Sequence, residues 1–156
     1  MKALIFDASS LISIISAGLL NEFKSLREIF DGEFVIPNEV KYEIIDRPLE
    51  IKRFELSALK VQSLVDSKIL ILPQELGVKD SEITSLMKKI IQDGNNLFET
   101  NKKPVHLIDK GESACLALDL ILKKKGFETA LVVDERTMRV LIEKPENLEK
   151  LMERRL

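Results

Sequence analysis

Short apolar runs alternate with stretches of helical periodicity, and this alternation is the feature that most constrains the fold. The predicted strands are residues 2–7, 34–36, 69–72 and 129–133. The predicted helices are residues 9–19, 22–31, 37–46, 54–66, 80–93, 110–124, 135–143 and 146–155, with a loop over 94–104. Strands alternating with helices predict a parallel sheet covered on both faces. We therefore expect a three-layer α/β/α domain with a central parallel sheet of four to five strands.

Length and composition narrow the class of protein. A chain of 156 residues is expected to form a single domain, and its net charge of −2 argues against a dedicated non-specific DNA binder. The only cysteine, Cys115, excludes an internal disulfide and suits a reducing compartment; its place on an apolar helix face predicts a buried, inert thiol. The apolar stretch 11–20 is too short to span a bilayer, and Asp7 interrupts the apolar start, so no secretory signal is visible. These features predict a cytoplasmic protein that does not enter membranes.

Four acids lie near the junctions between predicted strands and helices. Asp7 and Asp134 end strand-like runs, whereas Glu43 and Glu112 lie in the early turns of predicted helices. The carboxyl ends of parallel strands meet at one sheet edge, so we expect at least Asp7 and Asp134 to converge there. Two like charges ~4 Å apart cost roughly 4 kcal/mol at an effective dielectric of about 20, so such a cluster needs protons or a divalent cation.

Each acid also has a purely structural interpretation. Asp7 and Asp134 could cap the helices that follow them, and Glu43 could be a solvated helix residue. Asp109 and Glu112 have the spacing of a capping box. Taken singly, these interpretations compete with the metal site at every position.

Four motifs in chain order resemble a known family, the PIN domain found in VapC-type toxins and related ribonucleases. The similar segments are Leu4–Ile12, Val35–Glu43, Asp109–Ala114 and Val132–Arg136, and the resemblance covers roughly residues 2–143. It implies a ribonuclease that uses Mg²⁺ or Mn²⁺ to hydrolyse RNA phosphodiesters.

The resemblance also implies roles for individual residues. By position, Asp7, Glu43, Glu112 and Asp134 would be the site acids, with Asp7, Glu112 and Asp134 holding the metal. Ser9 and Glu135 would be auxiliary residues of this site. Arg136 and Arg139 follow the late acids closely and are the candidates for phosphate contact, with internal ion pairs as the alternative.

The chain departs from the family pattern near its end. Val133-Asp134-Glu135 stands where family members often have Thr-Asp-Asp, which puts the role of the longer Glu135 in doubt. The family usually adds another strand after the next helix, and 140–142 is the only candidate before Pro145. Either the sheet lacks a final strand after residue 143, or the chain is a fragment.

A second function class stays open beside the nuclease. A catalytically silent PIN-like module would bind RNA or a protein partner without turnover. An exposed apolar face on helix 9–19 or 22–31 would fit a homodimer or an antitoxin-like partner. The single histidine, His106, excludes a multi-histidine metal site, and the single tyrosine, Tyr42, is expected to pack rather than stack on a base.

Overall fold

The computed structural model describes residues 1–97, 99–100, 103–104 and 109–134, with side chains described for 1–93 and 109–134. The strands are β1 (Lys2–Phe6), β2 (Glu33–Val35), β3 (Glu99–Thr100), β4 (Lys103–Pro104) and β5 (Glu128–Val132). The α-helices are α1 (Ala8–Ser16), α2 (Leu20–Ile29), α3 (Asn38–Lys41), α4 (Arg47–Leu49), α5 (Glu55–Asp66), α6 (Asp80–Leu97) and α7 (Lys110–Lys124). A π-helical turn, Tyr42–Asp46, joins α3 to α4, and a 3₁₀ turn spans Pro73–Leu76. The protein is therefore a mixed α/β protein, as predicted.

The main sheet is parallel and has β1 at its centre. Its order is β2-β1-β5, with Ile5 opposite Val35 on one side and opposite Leu131 on the other. The prediction of four to five strands is wrong for the described part of the chain, where this sheet has three. The predicted strand 69–72 supplies only an isolated bridge between Val35 and Ile71. It stays short because Lys68 has a positive φ of 59° before it and the 3₁₀ turn begins directly after it, at Pro73.

A cluster of aromatic rings and helix α7 pack against the main sheet. The rings of Phe6 and Phe34, on neighbouring strands, lie 5.0 Å apart between centroids, and Phe23 of α2 lies 5.2 Å from Phe6. Helix α7 packs against both β1 and β5. Its predicted bounds, 110–124, are confirmed, and Gly126 ends it with a φ of +85° that favours glycine. The acids of interest are thus attached to a well-packed sheet and helix.

Two predictions about helix ends are wrong. The helix after Pro37 does not end before Pro48, because the backbone passes through the π-helical turn and a new α-helix begins at Arg47. Pro48 then lies in the first turn of α4, where its missing N–H removes no helical hydrogen bond. Helix α6 does not end at residue 93 but continues to Leu97, since its packing against α7 outweighs the low helix propensity of Gly94 and the asparagines after it.

The predicted loop 94–104 is also wrong in part. Besides the end of α6, it contains β3 and β4, which pair antiparallel with Glu99 opposite Pro104. Proline is tolerated there because a two-stranded pair consists only of edge strands. The predicted helices 135–143 and 146–155 lie outside the described residues.

Candidate functional site

Asp7 lies where β1 ends and α1 begins. Its backbone N–H donates to the carbonyl of Val132 on β5, at 3.1 Å. Its Oδ2 accepts hydrogen bonds from the backbone N–H of Ser9 (3.2 Å) and from the Ser9 hydroxyl (2.7 Å). The side chain is therefore the N-cap of α1, as its structural interpretation predicted, yet Asp7 is only 4% exposed. A carboxylate buried this deeply is costly unless its charge is compensated.

Ser9 connects Asp7 to Asp134. While its hydroxyl donates to Asp7, the hydroxyl oxygen accepts a hydrogen bond from the backbone N–H of Asp134, at 3.4 Å. The Asp134 carboxylate is held from the other side by the hydroxyl of Ser13, which donates to Oδ2 at 2.7 Å. The structure thus brings Asp7 and Asp134 to the same sheet edge and links them through one serine. Asp134 remains exposed to solvent.

The carboxylates of Glu43 and Asp7 both face Gly111, in the first turn of α7. A Cβ atom at position 111 would lie 3.1 Å from Glu43 Oε2 and 3.7 Å from Asp7 Oδ1. The Asp7 oxygen in question is not the one that Ser9 binds. Glycine at this position therefore keeps open a small space bordered by one oxygen of each carboxylate, and we call this space the Gly111 cradle.

Glu112 has a different partner. Its Oε2 accepts a hydrogen bond from the backbone N–H of Asp109, at 3.1 Å, as expected of a capping box at the start of α7. Glu112 is 8% exposed and belongs to the same buried surroundings as Cys115. The structural interpretation of the Asp109–Glu112 spacing is therefore confirmed, and it fixes the direction of the Glu112 side chain.

The pKa of Glu43 reports on the electrostatics of the cradle. Its pKa is raised above the ordinary value, first because the carboxylate is desolvated and then because Asp7 and Asp109 place negative charge nearby; Arg47 acts in the opposite direction. Glu43 is exposed as a whole residue, so the desolvation concerns the carboxylate end beside Gly111. Proton uptake by this acid is favoured, and so is the arrival of a cation.

Cys115 lies one turn further along α7, and its thiol is affected by the charges of the same acids. Burial raises the pKa of its thiol well above the ordinary value, and the charges of Asp7 and Glu112 raise it further. The thiol is fully buried, with its Sγ 3.6 Å from the carbonyl oxygen of Phe6. The predicted burial of this cysteine is confirmed.

A crevice of about 700 Å³ opens beside the cradle. Its lining residues are Asn38, Glu39, Tyr42, Glu43, Arg47, Ile91, Asp109, Lys110 and Gly111. Sequence reasoning did not assign Arg47 or Asp109 to the site, although both lie close enough to shift the pKa of Glu43. The sequence places Asp109 three residues before Glu112, which could have indicated a role in the site. The capping-box pattern explained the same spacing, so no such role was assigned.

The donor set limits which cation fits. Among the described residues, no group of three or more His, Cys, Asp or Glu is arranged to hold a metal ion. The four predicted acids therefore do not form one compact ligand cluster. Mg²⁺, however, usually takes only one or two carboxylates and keeps several waters, so the Asp7 and Glu43 oxygens that face Gly111 are the candidate ligands. Three of the predicted residues, Glu135, Arg136 and Arg139, lie outside the described part.

Comparisons with protein-family models, with curated proteins and with solved structures give no match. None of the helices in the described ranges is both long enough and apolar enough to cross a membrane.

Proposed function

We propose that this protein is a divalent-metal-dependent ribonuclease that hydrolyses RNA phosphodiesters at the Gly111 cradle. The observation that carries the proposal is the pairing of the Asp7 and Glu43 carboxylates beside Gly111, with Asp134 joined to Asp7 through Ser9. In the proposed fold, a three-layer PIN-like domain, Asp7 and Asp134 directly follow β1 and β5, and the π-helical turn carries Glu43. The resemblance of four sequence motifs to the PIN family supports the same assignment.

In place of the predicted set Asp7, Glu112 and Asp134, the proposal has Asp7 and Glu43 hold Mg²⁺ or Mn²⁺, with Glu112 and Asp134 at the margin of the site. When bound, such a cation makes water a stronger nucleophile and withdraws charge from a phosphodiester. The residues of the chain prepare the site for it. Ser9 holds one oxygen of Asp7 and leaves Oδ1 facing the cradle, and Ser13 fixes the Asp134 carboxylate. This preorganisation means that the acids need not move when the substrate arrives.

Basic residues in the wall of the crevice can bind the negatively charged phosphates of the substrate. Arg47 and Lys110 line the crevice and are exposed, so each can contact a phosphate oxygen. Arg136 and Arg139 remain predicted phosphate contacts. The acids alone would repel RNA, so a cation in the cradle and these basic residues together make the approach of a phosphodiester favourable.

Partner binding is a separate part of the proposal. Ile29 on α2 is 81% exposed, and Leu26 on the same helix and Ile12 on α1 are 46% and 50% exposed. Leu26 and Ile29 line one shallow groove on α2, and a contiguous exposed apolar patch is typical of an interaction surface. They support the predicted homodimer or antitoxin-like partner.

Thermal unfolding with Mn²⁺ tests the metal site. Asparagine at position 7 keeps an oxygen for Ser9 but removes the charge, whereas Asp31→Asn removes one exposed acid at the opposite, amino-terminal edge of β2. A ligand at ~100 times its dissociation constant stabilises by roughly 2.7 kcal/mol. We expect Mn²⁺ to stabilise the wild type and Asp31→Asn equally and Asp7→Asn much less. Equal stabilisation of all three would contradict the site, and no stabilisation of any would favour the silent module.

A further inference from the structure

Tyr42 is exposed in the wall of the crevice. It is 60% exposed, so the prediction that it packs is wrong. It precedes Glu43 in the π-helical turn, and both side chains line the crevice. A solvent-exposed aromatic side chain next to a candidate phosphodiester site offers a ring on which an unpaired base can stack.

Arg47 lines the same crevice as the Tyr42 ring. Its backbone N–H donates to the carbonyl of Tyr42, five residues earlier, which places the two residues one π-helical turn apart. Within the described ranges Arg47 forms no salt bridge, although its charge acts on Glu43. The acids Glu39, Glu43 and Asp109 line the same crevice, so Arg47 and Lys110 supply its positive charge among three negative side chains.

We propose that Tyr42 and Arg47 form a subsite for one unpaired nucleotide, with the base stacked on the Tyr42 ring and a phosphate on the Arg47 guanidinium. The inference rests on the proposed function and adds the two residues that would hold the RNA beside the cradle. The crevice volume of about 700 Å³ lies within the ~300–1,000 Å³ usual for ligand pockets. A base within a duplex has both faces covered by its neighbours and cannot stack on the ring.

The chain offers a built-in reporter for this subsite. It has no tryptophan and a single tyrosine, so tyrosine fluorescence arises from Tyr42 alone. A uridine-rich RNA oligonucleotide is titrated into the wild type in Mn²⁺, with the signal read at mixing and corrected for absorption by the RNA. We expect the single strand to quench the fluorescence and the same oligonucleotide annealed to its complement to leave it unchanged.

Variants assign the binding to each residue. From the usual worth of one stacked base, Tyr42→Leu is expected to weaken RNA binding about 5- to 150-fold, as measured with a fluorescently labelled oligonucleotide, while Tyr42→Phe stays near wild type. Arg47→Met should lower the slope of log affinity against log salt by about 0.7, the contribution of one phosphate contact on a single strand. Phe54→Leu is the matched control, because Phe54 is an exposed aromatic residue whose ring lies 4.5 Å from the Arg53 guanidinium but does not line this crevice.

The outcomes separate the subsite from the nuclease. Quenching by the single strand alone, together with a selective effect of Tyr42→Leu, would support the subsite. Equal quenching by the duplex would overturn the unpaired base. Absence of quenching in a protein that Mn²⁺ still stabilises through Asp7 would overturn the subsite and leave the proposed function standing. Absence of both responses would refute the two together.

Discussion

The variant Gly111→Ala tests metal binding separately from folding, and it does so more directly than a variant that removes one of the acids. Gly111 lies in the first turn of α7 without a positive φ, so alanine can adopt its backbone conformation. Alanine favours a helix over glycine by roughly 0.5–1 kcal/mol. The added methyl group would lie 3.1 Å from Glu43 Oε2, which is the end of a flexible, exposed side chain and can move by a few tenths of an ångström. We therefore expect the free energy of unfolding without metal to be unchanged or up to ~1 kcal/mol higher.

Metal binding should change in the opposite direction, because the methyl group fills the space that both carboxylates border. A tenfold loss of Mn²⁺ affinity would reduce the stabilisation from roughly 2.7 to about 1.4 kcal/mol at a concentration that is 100 times the wild-type dissociation constant. For a chain of this size the lost increment corresponds to roughly 3–5 °C in melting temperature.

Differential scanning fluorimetry with an extrinsic dye, with and without Mn²⁺, measures both effects. Ser113→Ala is the control in the same turn of α7, since its buried hydroxyl has no hydrogen-bond partner among the described residues. Full retention of the Mn²⁺ shift by Gly111→Ala would refute the cradle as the metal site. A metal-free variant that unfolds far below the wild type would refute the geometry assigned to the cradle itself.

Three further predictions concern pH, the serine link and backbone packing. The raised pKa of Glu43 means that its charged form opposes folding above the ordinary pKa of 4.5, so stability is lost as pH rises through the folded pKa. Denaturant unfolding should therefore find Glu43→Gln more stable than wild type at pH 7, with a difference that vanishes below about pH 4.5; a constant difference would contradict the shift. Ser9→Ala removes the hydroxyl bond to Asp7 and should lower the unfolding free energy by ~1 kcal/mol and weaken the Mn²⁺ shift, and a variant with both unchanged would show the link to be unimportant. Gly32→Ala would place a Cβ 2.6 Å from the backbone oxygen of Lys2 and should cost about 1–3 kcal/mol by the same denaturant assay, whereas neutrality would mean that β1 and this turn are less closely packed.

Local signals were sufficient where they agreed with the tertiary structure. The bounds of α7 follow from its regular apolar spacing and from Gly126 just beyond its end. The position of Asp7 follows from the end of a short apolar strand, because the strand before it and the helix after it are both coded locally. The neighbouring position of Asp134 then requires only that β1 and β5 be parallel and adjacent.

The remaining features depend on packing that local patterns do not contain. The π-helical turn carries Tyr42 and Glu43, and both line the crevice. The crevice itself forms only where this turn meets the first turn of α7, and no local sequence pattern shows that meeting. Likewise, the isolated bridge at Ile71 replaces a full strand because the backbone is constrained on both sides, at Lys68 and Pro73. The role of Gly111 emerges only once α7, the π-helical turn and β1 are in contact.

Cleavage of a labelled single-stranded RNA is the most direct test of the proposed ribonuclease. The wild type, Asp7→Asn and Asp31→Asn are purified in parallel and incubated with the RNA in Mn²⁺ or in a chelator. We expect cleavage by the wild type and by Asp31→Asn in Mn²⁺ only, and a loss of at least about 100-fold in rate for Asp7→Asn, because charge stabilisation of the transition state is removed. Equal cleavage by Asp7→Asn, or cleavage that persists in the chelator, would contradict a metal-dependent nuclease at this site.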